Sequence, residues 1–139
     1  MKKTTKNFLD CLEEKEIKYQ CEEREGKSDW VCVRFSGNNA PSVEVQLFFH
    51  EDEDDVALRS FSIVRVPQEK AAGMLTLLNS LMEEYRWVRL CLDGDNEVTA
   101  AIDAVISADT AGPVSFELLM RMVGIVDDIY PRLMKELWA

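Results

Sequence analysis

The sequence predicts an α+β domain: an antiparallel sheet with helices packed on it, in the order α-β-β-β-β-α-β-β-α. Three observations carry that prediction. Residues 17–66 alternate apolar and polar side chains in short runs separated by turn residues, the pattern of half-buried strands. Two later segments, 67–85 and 115–138, instead repeat their apolar residues at i, i+3, i+4, i+7. Between those helices, two further strand-like runs flank Asp93-Gly94-Asp95-Asn96. The chain of 139 residues is read as one domain, 1–139, long enough to bury roughly two-thirds of its unfolded surface around a single core.

The elements follow in order. From Thr5 to Glu16, Phe8, Cys11 and Leu12 recur at helical spacing among Lys and Glu. Ile17, Tyr19 and Cys21 alternate with charged residues as a first strand. Gly26 breaks it, and Trp30 to Phe35 is a second, rich in β-branched and aromatic residues. Gly37, Asn38, Asn39 and Pro41 make a turn. A third strand then shows Val43, Val45, Leu47 and Phe49 on one face, with Glu44, Gln46, Phe48 and His50 on the other. Five consecutive acids, Glu51 to Asp55, repel one another too strongly to be interior and form a loop, which also blunts the strand ends against edge-to-edge pairing. Val56 to Val66 is the fourth strand. Pro67 suits a first helical position, and Ala71, Met74, Leu75, Leu78, Leu81, Met82 and Tyr85 mark the second helix. Arg86–Leu92 and Glu97–Ile106 are the last two strands. After Ala111-Gly112-Pro113 the final helix starts near Ser115.

Charge and composition exclude function classes. Sixteen Lys and Arg against 26 Asp and Glu leave a net charge of −10, the wrong sign for a nucleic-acid partner, whose phosphates are neutralised by clustered cations. No apolar run approaches the roughly 20 residues of a membrane span, and no signal-peptide pattern opens the chain. The expectation is a cytoplasmic protein with no membrane insertion. Cys11, Cys21, Cys32 and Cys91 include no Cys-x-x-Cys, the spacing on which zinc and thioredoxin-like sites depend. Cys21 and Cys32 are symmetric about Gly26-Lys27 and could meet across a hairpin; small thiols in a reducing compartment are the expected state.

No constellation nominates a catalytic residue, a cofactor or a metal. Asp93-Gly94-Asp95-Asn96-Glu97 starts like a calcium loop, but an EF-hand needs Gly sixth and Glu twelfth, where Val98 and Ala104 stand. A hairpin turn is the better reading. His50 beside five carboxylates offers ligands without fixed geometry. Nucleophile-elbow, Walker and dinucleotide-binding motifs are absent from the sequence.

The second half resembles the YbjN family, whose members share a fold similar to that of type III secretion chaperones. The resemblance is carried by Leu77-Leu78-Asn79-Ser80-Leu81, Arg86 to Asp93 with Gly94 and Glu97-Val98-Thr99, Ser115 to Leu119, and above all Val126-Asp127-Asp128-Ile129-Tyr130-Pro131. It covers residues 65–138 directly. Ile129 stands where the family pattern has a second aromatic. The resemblance implies a chaperone-like or regulatory protein-binding module, dimeric and without catalytic residues. The mechanism it suggests is burial of an apolar segment of a partner protein, by sheet-edge addition or in a groove between helix and sheet. The alternative is a small-ligand binder or enzyme using the concave face of the sheet.

Three expectations concern the last helix. Its apolar arc spans about 220°, twice the stripe needed to pack on one sheet, so the edge Leu118, Met122, Ile125 and Ile129 is expected to face a second subunit or partner, unless the first helix covers it. Asp127 falls inside that arc, where an ionised carboxylate needs hydrogen-bond partners; a structural bond to a backbone amide or an Arg is favoured over a partner contact. Pro131 lacks the N–H for an interior helical bond, so the helix is expected to bend or break between Asp127 and Pro131. The cysteine reading gives a direct test: thiol labelling of the denatured protein should count four free thiols, and a stoichiometric metal in the purified protein would contradict it.

Overall fold

The computed structural model describes residues 1–139. Helix α1 (Lys3–Glu14) buries Phe8, Leu9 and Leu12 along one stripe. Its first turn is tied to the sheet through Asp29, which accepts hydrogen bonds from Thr5 Oγ1 (2.8 Å), Lys2 Nζ (2.9 Å) and the Lys2 backbone N–H (3.2 Å). Burial pushes the Asp29 pKa up, but these donors outweigh it and hold the carboxyl below its usual range.

Six strands follow: β1 (Gln20–Glu22), β2 (Asp29–Ser36), β3 (Ser42–Phe49), β4 (Asp55–Ser60), β5 (Arg89–Leu92) and β6 (Val98–Val105). They form one antiparallel sheet in the order β1-β2-β3-β4-β6-β5. A short 3₁₀ turn (Gln68–Lys70) leads into α2 (Ala71–Glu84), and α3 (Ala111–Trp138) closes the chain. The alternation in the sequence fixes the inner face. Val31, Val33, Val43, Val45, Leu47, Phe49, Val56 and Leu58 are all buried there, and Phe49 meets Phe8 of α1 at 5.3 Å between ring centroids. The outer face carries cross-strand polar pairs: Trp30 Nε1 donates to Gln46 Oε1 at 2.9 Å, Arg34 pairs with Glu44, and Arg59 with Asp103 at 2.8 Å.

Helix α3 lies at the centre, in contact with β3, β4, β6, α1 and α2. That surrounding explains its wide apolar arc and corrects the expected interface. Leu118, Met122 and Ile129 are buried in the protein's own core and Ile125 is half-buried against it, rather than presented to a second subunit.

The boundaries also move. α3 starts four residues earlier than expected, because Pro113 sits in the first turn, where no N–H is required, and Asn7 Oδ1 of α1 accepts the Gly112 N–H at 2.6 Å. A Cβ at Gly112 would lie 2.6 Å from Cys11 Sγ, so glycine permits this close helix crossing. β5 starts at Arg89 rather than Arg86, since Trp87 adopts a φ of 80°, outside any strand conformation. The outer edge of β5 is closed by α2, whose Met82 Sδ accepts the Leu90 N–H at 3.3 Å. All four cysteines are free, and the register sets Cys21 opposite Val31 and Cys32 opposite Gln20, on opposite faces of the sheet. The helix continues through Pro131 without the expected break, for a reason given below.

Truncating the core side of α3 should show these energetics. Ile129→Ala is expected to cost about 2–5 kcal/mol in urea unfolding, the range for a fully buried aliphatic side chain, with no change in solution mass. A cost within about 0.5 kcal/mol would place Ile129 on the surface.

Candidate functional site

The site begins with a dislocation in the sheet. Ser60 of β4 pairs with Ala100, but the next bridge joins Arg65 to Glu97. Five steps on one strand therefore match three on the other, and Phe61 and Ser62 are a two-residue bulge. Ser62 takes a φ of 52°, steadied by its hydroxyl donating to Glu97 Oε1 at 3.1 Å. Neither residue makes a backbone–backbone hydrogen bond; pairing resumes at Ile63, whose N–H bonds the Val98 carbonyl at 2.9 Å. The bulge leaves the Phe61 side chain 46% exposed.

On the other side of the dislocation, β3 loses its neighbour. Its ladder with β4 ends at Gln46–Arg59, and the Glu44 carbonyl is met instead by the Ser60 hydroxyl at 2.8 Å. A gap opens between the start of β3 and the bulge, with α3 beneath.

The loop Gly37–Pro41, which joins β2 to β3, forms the end wall and is held by α3. The Asp127 carboxylate accepts the backbone N–H groups of Asn38 (3.1 Å), Asn39 (2.9 Å) and Ala40 (2.8 Å). These three bonds, Ala40 first, hold its carboxyl below the usual carboxylate range. Asn39 Nδ2 also donates to the Asp127 backbone carbonyl at 3.3 Å. That carbonyl is the one Pro131 leaves without a helical donor, so the loop supplies the missing bond and the helix passes through the proline unbroken. The approach is so close that a Cβ at Gly37 would fall 2.5 Å from Asp127 Oδ1 and closer still to the Ala40 carbonyl oxygen.

The result is a cleft of about 230 Å³ at the foot of the sheet. Phe61, Ile63, Val43, Ala40, Val126 and Tyr130 give it an apolar lining, and Arg34, Glu44, Ser42, Ser60 and Ser62 a polar one. The Arg34 guanidinium bonded to Glu44 holds that carboxyl below its usual range, so the rim keeps both charges at neutral pH. The volume is below the roughly 300 Å³ at which small-molecule sites begin, and matches a single large side chain. A larger depression, about 400 Å³ between Met1 and Glu53, has one apolar residue among eight and is lined by surface charges.

Of the residues singled out from sequence, Asp127 belongs to this site and Val126 and Tyr130 line it. Leu118, Met122, Ile125 and Ile129 do not. His50, Asp54 and Asp55 present ligand atoms within 4.8 Å of one another at the acidic turn, as do Asp93, Asp95 and Glu97. The Asp93 carboxylate, however, is engaged in building its own turn, accepting from the Asp95 and Glu97 N–H groups and the Thr99 hydroxyl. Sequence reasoning missed Phe61 and Ser62 because they were read as the interior of one long strand.

Fold and site together define an antiparallel α+β domain with a side-chain-sized cleft between helix and sheet. A family model, YbjN, described as "Putative bacterial sensory transduction regulator", matches residues 10–135, and the chain belongs to that family. No curated protein matches the sequence. No helix is long and apolar enough to cross a membrane.

The clamp makes stability depend on pH in a stated direction. Because the folded Asp127 pKa lies below the ordinary value of 3.8, its contribution is fully present above that value and is lost as pH falls through the folded pKa. Asp127→Asn should lower Tm at pH 7, with the deficit shrinking as pH is lowered below 4. A deficit independent of pH would show that the charge is not what the loop binds. Gly37→Ala should destabilise by about 1–3 kcal/mol through the same contact.

Proposed function

We propose that this protein is a non-enzymatic regulatory module that recognises a partner protein by burying one of its apolar side chains in the cleft of Phe61, Val126 and Tyr130. The observation that supports this reading most is where the Val126–Pro131 motif is used. Val126 and Tyr130 line the cleft, Asp127 ties down the loop that walls it, and Pro131 exposes the carbonyl that Asn39 caps. The most distinctive stretch of α3 therefore shapes a recess rather than a featureless core. An apolar hollow with a polar rim is how a protein accepts an anchor residue from a partner. The net charge of −10 favours a segment with basic residues flanking the anchor. The regulatory description of the family agrees with binding without chemistry.

Phe61→Asp places a charge in the cleft at an exposed bulge position and should leave the circular dichroism spectrum and Tm nearly unchanged. Affinity capture from a source lysate, compared between wild type, Phe61→Asp and Leu75→Asp, an exposed α2 position outside the cleft lining, should show a partner lost only with Phe61→Asp. A partner retained by Phe61→Asp and lost with Leu75→Asp would contradict the reading.

A further inference from the structure

We infer that Trp87, flanked by the guanidiniums of Arg86 and Arg121, is a contact point separate from the cleft and takes an acidic peptide segment with apolar residues among its carboxylates. The turn between α2 and β5 presents this indole at a backbone cost. Trp87 takes a φ of 80°, in the left-handed region that a bulky side chain rarely adopts. Strain of that kind persists where the surroundings impose it, and it clusters at sites of function. Burial is not what Trp87 gains from it, because the residue stays 54% exposed. The ring instead carries two cations. The Arg86 guanidinium carbon lies 5.4 Å from its centroid and that of Arg121, on α3, 5.1 Å away.

Charge selects the occupant. Of the eight arginines, six bond a carboxylate or a backbone carbonyl of the chain; Arg86 and Arg65 bond neither, in a protein with 26 acids. Arg121 spends one nitrogen on Glu117, at 3.0 Å, and keeps its remaining N–H donors. Both arginines are exposed. The spot is also held in place. Farther along α3, Asp128 accepts the Tyr85 hydroxyl and Arg132 pairs with Glu84, so the connector carrying Trp87 is fastened to the helix. Trp and Arg are the residues that most often anchor interfaces, and carboxylates give guanidiniums strong charge-assisted bonds. An apolar side chain of the segment covers the exposed indole. Arg121 and Val126 stand about 140° apart around α3, so this spot and the cleft are reached from different sides. A nucleic-acid strand is a poorer match, since two cations make no track for a phosphate backbone.

NMR of the full chain tests this through the indole N–H signal of Trp87, assigned by its loss in Trp87→Phe. Three probes are titrated to about 1 mM: a nine-residue peptide with a central Leu-Phe flanked by Asp and Glu, its Lys-flanked counterpart, and a short oligothymidine. The acidic peptide should shift the signal to saturation and the other two should leave it in place. Arg86→Glu should weaken that binding about tenfold or more, while Phe61→Asp in the cleft leaves it unchanged. Trp87→Gly should keep or raise Tm, because glycine adopts a positive φ without strain. A Tm lower by more than about 5 °C would show that the indole serves the fold, and would overturn the proposal. So would the absence of a saturable shift with the acidic peptide, an equal shift with either other probe, or binding indifferent to Arg86→Glu.

Discussion

The carboxylate of Asp127 is the constraint on which the rest of this arrangement depends. One side chain on the central helix gathers three consecutive backbone N–H groups of a loop that joins two strands. Those amides belong to no ladder, and without an acceptor they would be left unsatisfied at a partly buried position, a cost that favours the loop lying where it does. The bond is reciprocal, since Asn39 returns a donor to the helix at the carbonyl that Pro131 leaves free. Helix, loop and proline therefore form one unit. The position of β3's first residues, and with it the width of the cleft, follows from that unit.

A second device works beside it. The Phe61–Ser62 bulge lets one strand change neighbours, leaving β3 and following β6 alone. This opens the sheet without unpairing its core, because Val56 and Leu58 on one side of the bulge and Val64 and Val66 on the other all remain buried. The strain of a positive φ at Ser62 and the exposure of Phe61 are local costs at a place where backbone irregularity is common beside binding sites.

The fold was legible because its signals are periodic. Valines and leucines at every second position of β3 and β4, and apolar residues at helical spacing in α2 and α3, each bury one face, and the structure places them so. The bulge was not legible, for a simple reason. Two inserted residues preserve the period of 2, so Val56, Leu58, Ser60, Val64 and Val66 read as one uninterrupted inner face although the chain is dislocated after Ser60. Helix α3 misled in the opposite way. Its excess of apolar surface was real, but α1, α2 and the sheet of the same chain take up most of it, and a helical wheel does not show how many neighbours a helix has. Pro131 misled because the rule about its missing bond is local, while the compensating donor, Asn39, is 92 positions away in sequence and only the tertiary structure brings it there. Asp127 stood out from sequence alone, as a charge in an apolar arc, but the identity of its partners was a property of the fold.

The central claim is that a single carboxylate sets the loop and, through it, the cleft. Amide hydrogen exchange at Asn38, Asn39 and Ala40, measured at pH 7 in the wild type and in Asp127→Ala, tests it most directly. The account predicts that all three amides are protected in the wild type and lose protection together in the variant, while Leu47 and Leu58 in the sheet keep theirs. Fast exchange of these amides in the wild type, or unchanged protection in Asp127→Ala, would contradict it.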